Sequence, residues 1–251
     1  MKQFLLFSIS VILVSSCVYE NEEDAYYSTP NNHSNSLDSG LLAHFCFQNS
    51  LVDSSKNNVS GTFNGTPVYG DFSLGNRAIV LNGTDNYFEI PVGNHDTIAI
   101  SMFFKGEAAL STPQNPYLLD YGQGALSLDL DAVSGGTYIV VNGNKLNDDP
   151  DNSWICSFSK WNHLYLEAIL SKKQVKVLST TFGDNSGLIE IRSLQPNIAA
   201  PMTLKNGSIL IGYNSSNSSN ENYFKGLIDD IRIYNRKLSN TELHQISKVL
   251  Q

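Results

Sequence analysis

From residue 41 onward the chain alternates apolar and polar positions. Leu41, Ala43, Phe45 and Phe47 stand two apart, the spacing that lines side chains along one face of a β-strand. Apolar or alternating runs recur at 78–81, 87–92, 97–104, 125–130, 137–141, 163–170, 174–179, 208–213 and 225–234. Turn residues stand between them. Asn82-Gly83, Asn142-Gly143 and Asn206-Gly207 are dipeptides that accept the positive φ of a tight hairpin. Many short strands with Asn, Gly, Asp and Ser at the joints predict an all-β sandwich or barrel. Helical periodicity shows only at the end. Ser239-Asn240-Thr241-Glu242 has the Ser-x-x-Glu form of a capping box, and Leu243, Ile246 and Leu250 follow at helical spacing, so one short C-terminal helix is expected. No repeated unit points to a propeller or solenoid.

The N-terminus follows a different pattern. Lys2 precedes an apolar run at 4–14 that only serines interrupt. The run is shorter than the roughly 20 residues a membrane-spanning helix needs, so it reads as the apolar part of an export signal. Leu13-Val14-Ser15-Ser16-Cys17 resembles a bacterial lipobox. The resemblance implies a signal peptide over 1–16 and a mature chain that starts at a lipid-bearing Cys17. Several acyl chains, at about 0.8 kcal/mol per buried methylene, make a stable anchor. The acidic run Glu20-Asn21-Glu22-Glu23-Asp24 resembles the surface-export signal of some Gram-negative lipoproteins. The implied location is the outer membrane, lipid-anchored and facing outward. Residues 17–38 are rich in Asn, Ser and acidic residues and read as a tether, leaving 39–251 as one folded domain.

Charge narrows the function. Sixteen Lys and Arg against 24 Asp and Glu give a net charge of -8. An acidic surface without a basic cluster repels phosphate backbones, so no nucleic-acid partner is expected. With Cys17 acylated, Cys46 and Cys156 remain. Two readings stay open for them: a disulfide, which the envelope permits, or two buried thiols. No Cys-x-x-Cys is present, so a thiolate metal site is not expected.

Two stretches resemble the laminin-G-like, concanavalin-A-like jelly-roll domains of bacterial surface proteins. The first is Leu41-Leu42-Ala43-His44-Phe45 through Leu51-Val52-Asp53-Ser54-Ser55, followed by Gly61 and Gly65. The second is Phe224-Lys225-Gly226-Leu227-Ile228-Asp229-Asp230-Ile231-Arg232-Ile233-Tyr234-Asn235-Arg236, then Leu238-Ser239 and Glu242. Ala78-Ile79-Val80-Leu81-Asn82-Gly83 and Trp161-Asn162-His163 fall between them in order. The resemblance implies two antiparallel sheets packed as a jelly-roll sandwich, with the first and last strands adjacent and a short helix at the end. It also implies a structural calcium ion between the loop after the first strand and the last strand. Asp53 and Asp229 are the matching positions, with Asn58 as a carbonyl donor. Lys56 stands where relatives carry glycine, a departure that changes the charge of that loop.

Some relatives hydrolyse glycosides with a Glu-x-Asp-x-x-Glu string, which places carboxyls on one strand face. No such string occurs here. Asp129 and Asp131 share a face without a following Glu, and they read as the polar outer side of a half-buried strand. Glu89 and Glu190 read as solvated. No His-Glu-x-x-His, Gly-x-Ser-x-Gly or phosphate-binding glycine loop appears. No catalytic residue is therefore assigned. The expected function is a non-catalytic, surface-exposed binding module for carbohydrate or another extracellular polymer. Tyr117, Tyr121 and Trp154 are the candidate sugar-stacking residues, because sugar C–H faces need aromatic rings beside polar groups. A glycoside hydrolase or its degenerate relative, and an adhesion protein with a protein partner, remain the alternatives.

Overall fold

The computed structural model describes residues 36–72, 76–107, 116–130, 137–146, 157–181, 198, 201–215 and 223–248. Within them two antiparallel sheets pack face to face. Sheet A contains β1 (Leu41–Phe45), β3 (Tyr69–Asp71), β4 (Arg77–Asn82), β6 (Thr97–Gly106), β11 (Asn162–Ile169), β12 (Gln174–Thr181) and β14 (Lys225–Tyr234). Sheet B contains β2 (Thr62–Phe63), β5 (Phe88–Pro91), β7 (Tyr117–Tyr121), β8 (Leu126–Leu130), β9 (Thr137–Val141), β10 (Asn144–Lys145) and β13 (Ser208–Ile211). Sheet A runs β12-β11-β6-β14-β4-β3 with β1 also on β14, and sheet B runs β10-β9-β8-β7-β13-β5-β2. The chain is thus the expected β-sandwich with one C-terminal helix, α1 (Asn240–Ser247).

Alternation builds the core. On β6, Ile98, Ile100, Met102 and Phe104 face the other sheet, beside Leu164, Leu166 and Ala168 of β11. From sheet B, Leu126, Leu128, Leu130, Phe88 and Ile90 meet them. The second side of sheet A is also apolar. Ala99, Phe103 and Tyr165 there are covered by Leu238, Leu243 and Ile246 of the C-terminal segment. Burying one Leu or Ile side chain is worth about 1.5–3 kcal/mol, enough to dock a two-turn helix that would not persist alone. The capping box forms as the sequence indicates: Ser239 accepts from the Glu242 amide, while the Glu242 carboxylate accepts from the Ser239 amide. Arg236 then holds Glu242 through both oxygens, at 2.6 and 3.1 Å. Leu250 lies outside the described residues.

The last strand departs from simple alternation. Ile228 faces the core, yet so do Ile231 and Ile233. An extra residue makes this possible: the β14–β6 register shifts between Asp229 and Arg232, and Asp230 has φ 46°. This is a β-bulge. Before it, residues 225–228 pair with β4; after it, residues 231–234 pair with β1. One strand therefore pairs with β4 along its first half and with β1 along its second.

Strands β2, β3, β7 and β10 carry no alternation signal in the sequence. Three of them have only two or three residues. β7 is central and buried at every position, and burial on both faces erases the period-two pattern.

Gly226 sits where β14 passes β6. A Cβ there would lie 2.2 Å from the Lys105 carbonyl oxygen and 3.0 Å from Gly106 Cα. Both contacts are backbone in the middle of a sheet, so neither can swing aside. Gly226→Ala is expected to cost more than about 2 kcal/mol, read as a lowered urea midpoint with an unchanged slope; a midpoint equal to wild type would show that the strands part freely.

Candidate ligand-binding face

The outward side of sheet B carries the polar chemistry. Cross-strand pairing lines up Thr62, Glu89, Leu210, Asp120, Ser127, Val140 and Lys145 in one row. The neighbouring row holds Tyr117, Asp129 and Tyr138. Two of the expected sugar-stacking residues part company here. A bulge in β7 shifts register between Tyr117 and Leu119, so Tyr117 and Tyr121 point to opposite sides. Tyr121 belongs to the core between the sheets, fully buried. Its hydroxyl donates to the Gly93 carbonyl and accepts the His95 amide. Tyr121 cannot stack on a sugar. Tyr117 faces outward but is 8% exposed. Trp154 lies outside the described residues.

Two carboxylates of this face, Asp120 and Asp129, are structural. Asp120 is fully buried and accepts from the Gly124 amide at 2.7 Å and Ser127 Oγ at 2.9 Å. Ser127 Oγ takes Asn214 Nδ2 at 2.9 Å, which pins the segment after β13 across β7. Burial raises the Asp120 pKa against the pull of these hydrogen bonds. Asp129, read from the sequence as part of the polar outer side of a half-buried strand, is buried at 1% exposure. It pairs with Lys145 Nζ at 2.9 Å, and that ammonium lies 4.3 Å from the Tyr138 ring centre. Asp131 and Glu190 are outside the described residues. Neither Asp120 nor Asp129 has the open approach that a sugar-flanking carboxyl requires.

At one end of the same sheet three tyrosines form a column. Tyr213 stacks on Tyr87 at 5.2 Å and 28°, and on Tyr223 at 4.5 Å and 11°. All three are half-buried. The pairing Ile211↔Phe88 places Tyr213 and Tyr87 just past the paired ends of β13 and β5. The Phe224 amide donates to the Gly212 carbonyl at 2.9 Å, which brings Tyr223 alongside. No local motif unites these residues; Tyr87 and Tyr213 read only as strand positions. A stacked column beside carboxylates is a surface for ligands with apolar faces and hydroxyl edges.

Of the residues expected to hold calcium, Asp53 is occupied by other partners. Asp53 Oδ1 accepts from the His44 and Ser55 amides, both at 2.8 Å. Its Oδ2 accepts from Ser55 Oγ at 2.7 Å and the Val59 amide at 2.8 Å. Four donors fill the four lone-pair sites of a carboxylate. Asp229 is buried in β14, and that burial, with the Asp230 charge beside it, pushes its pKa up to about 9. Among the described residues its Oδ1 has no hydrogen-bond partner. With its four lone-pair sites taken by protein donors, Asp53 has none left for a calcium ion. Asn58 supplies a positive-φ corner, φ 54°, of the Asp53 loop.

Instead, side chains join the first and last strands. His44 Nε2 donates to Asp230 Oδ1 at 2.5 Å, and Arg232 Nε lies 3.1 and 3.2 Å from the two Asp230 oxygens. Burial alone would raise the Asp230 pKa, but Arg232 and His44 outweigh it and hold the carboxyl well below its usual range. Cys46 Sγ lies 3.3 Å from His44 Nε2. Cys46 is disulfide-bonded, so its sulfur is no thiolate ligand and His44, Cys46 and Asp230 do not make a metal trio. Cys156, the partner in one of the two readings left open by the sequence, lies outside the described residues. On the adjacent row His163 bonds Ser101 Oγ at 2.8 Å and stacks on Phe103. Burial lowers its pKa to about 4, so it packs as a neutral ring.

No family model matches the chain, and no curated sequence matches it. Solved structures do. Domain 4 of AbnA, a GH43 extracellular arabinanase from Geobacillus stearothermophilus, solved with arabinotriose, aligns at TM-score 0.58 and 23% identity over 84% of this chain and 98% of that one. The receptor binding domain of botulinum neurotoxin C/D mosaic serotype aligns at 0.54 and 12% identity over 84% of this chain. A botulinum neurotoxin type C structure aligns at 0.54 and 11% over 86%. The chain spans about half the length of each toxin chain, 52%. The similarity is one of fold: a β-sandwich shared with binding domains.

Asp229 makes a stability prediction that separates a buried acid from a metal ligand. Its folded pKa of about 9 stands above the ordinary 3.8, so its contribution is complete below the lower value and is lost as pH rises toward the upper one. Asp229→Asn keeps the shape without the charge. The variant is expected to outlast wild type at pH 8 by at least ~1 kcal/mol, roughly 2–4 °C in Tm, with a smaller gap at pH 5. Chelator is expected to move neither melting curve. A chelator-induced drop in wild type that the variant lacks would restore the calcium site.

Proposed function

We propose that this protein is a non-catalytic glycan-binding module displayed on the outer membrane by the lipid on Cys17. The observation that carries the reading is the column of Tyr87, Tyr213 and Tyr223, rings held by three separate chain segments at the end of sheet B. Tyr213 has both faces covered by its neighbours, while Tyr87 and Tyr223 each keep a face that the column does not cover. Such faces take the C–H side of a sugar ring. Two neighbours in fold support the class of ligand: the arabinanase domain was solved with arabinotriose, and cell entry of the type C toxin depends on interaction with two ganglioside molecules. The non-catalytic half of the reading rests on Asp120 and Asp129, whose oxygens hold the sheet's outer face together rather than front an open cleft.

A glycan array probed with the full chain tests the binding, and Tyr213→Ala, which removes the ring that Tyr87 and Tyr223 both stack on, is expected to weaken every positive signal by at least ~10-fold. An array without a hit excludes the glycan reading. Sugar release from a polysaccharide panel, abolished by Asp120→Asn, would make the protein a hydrolase instead. For the anchor, a radiolabelled fatty acid is expected to mark wild type and not Cys17→Ser; equal labelling of both would remove the lipoprotein assignment.

A further inference from the structure

The tyrosine column has carboxylates at its flanks. Glu89 stands two residues along from Tyr87 on the outer face of β5, half-buried. Asp85 lies exposed in the turn before it. Both act electrostatically on the rings: Glu89 helps to raise the Tyr87 pKa after burial has done most of it, and Asp85 contributes at Tyr223. Asp85 spends Oδ1 on Asn82 Nδ2 at 2.8 Å. Among the described residues, Asp85 Oδ2 and both Glu89 oxygens take no hydrogen bond from the protein. The one described cation on the adjoining strand segment, Lys225, is held by Glu107 at 2.7 Å. The site therefore offers acceptors and aromatic rings, with no described positive charge to spare.

We infer that the column and its two carboxylates select neutral sugar chains, with Asp85 and Glu89 accepting hydroxyl protons and the tyrosine rings covering C–H faces. This rests on the glycan-binding reading and names its ligand class. A carboxylate is acceptor-only. It suits a sugar hydroxyl and opposes a uronate, sialate or sulfate, and the chain's net charge of -8 opposes them at longer range. Recognition of an anionic glycan calls for Arg or Lys forks; among the described residues, the groups acting on the tyrosine rings are carboxylates and other tyrosines.

Calorimetric titration of the full chain with two probe sets decides it. One set is neutral arabino-, xylo- and gluco-oligosaccharides; the other is oligogalacturonate and sialylated oligosaccharides. The expected result is binding within the neutral set, little changed by added salt, with the anionic set at least ~10-fold weaker. The isosteric double variant Asp85→Asn, Glu89→Gln is expected to lose neutral binding by ~10-fold or more, as when charge-assisted hydrogen bonds are removed. Preferential, salt-sensitive binding of the anionic set would overturn the neutral assignment and leave the glycan-binding reading standing. Neutral binding that the double variant and Tyr213→Ala both leave intact would move the site elsewhere. Failure of both sets, like an empty array, would remove the glycan reading itself.

Discussion

Asp230 occupies the left-handed region at φ 46°, and its buried carboxylate is taken by His44 from β1 and Arg232 from its own strand. Much follows from that one arrangement. The extra residue lets Ile228, Ile231 and Ile233 all face the core. It also marks the point where β14 leaves β4 and takes up β1. An unpaired carboxylate in that place would be costly; paired with a guanidinium and an imidazole, it joins the first and last strands. The His44 amide then donates to Asp53, so the same strand that reaches the last strand through its side chain holds the following loop through its backbone.

This network lies next to the positions, Asp53 and Asp229, at which the sequence resemblance implies calcium. Both solutions meet the same physical demand, which is to gather carboxylates near the junction of first loop and last strand without leaving charges unpaired. Here protein hydrogen bonds fill the Asp53 carboxylate, burial pushes the Asp229 pKa up, and Asp230 is held as a carboxylate between Arg232 and the His44 ring. The neighbouring Asp229 and Asp230 thus differ in pKa because their surroundings differ, not their chemistry.

The two sheets divide the labour. Sheet A is apolar or internally paired on its second side because α1 and its linker cover it. Sheet B turns polar groups outward. Its central carboxylates are consumed in holding the segment around Asn214 and Lys145. Its end, where β5 and β13 stop, presents the tyrosine column. Strand ends and the segments beyond them are where a sandwich can place side chains without disturbing its core.

What the sequence determined by itself was local. Period-two alternation marks β1, β6 and β11, Asn-Gly pairs mark turns, and Ser239 with Glu242 marks the helix start, because each signal lies within a few residues of its effect. The inner core of these strands was legible for the same reason. Only the tertiary structure decided the rest. Tyr117 and Tyr121, four residues apart, share a face by simple alternation, yet one bulge sends Tyr121 into the core. Strand β7 hides from pattern reading because both its sides are buried. Asp53 looks like a cation ligand until four donors converge on it from the folded loop. Tyr87, Tyr213 and Tyr223 meet through strand register and a returning segment, contacts between residues far apart in the chain, and no local spacing encodes a stack that only pairing across the sheet can assemble.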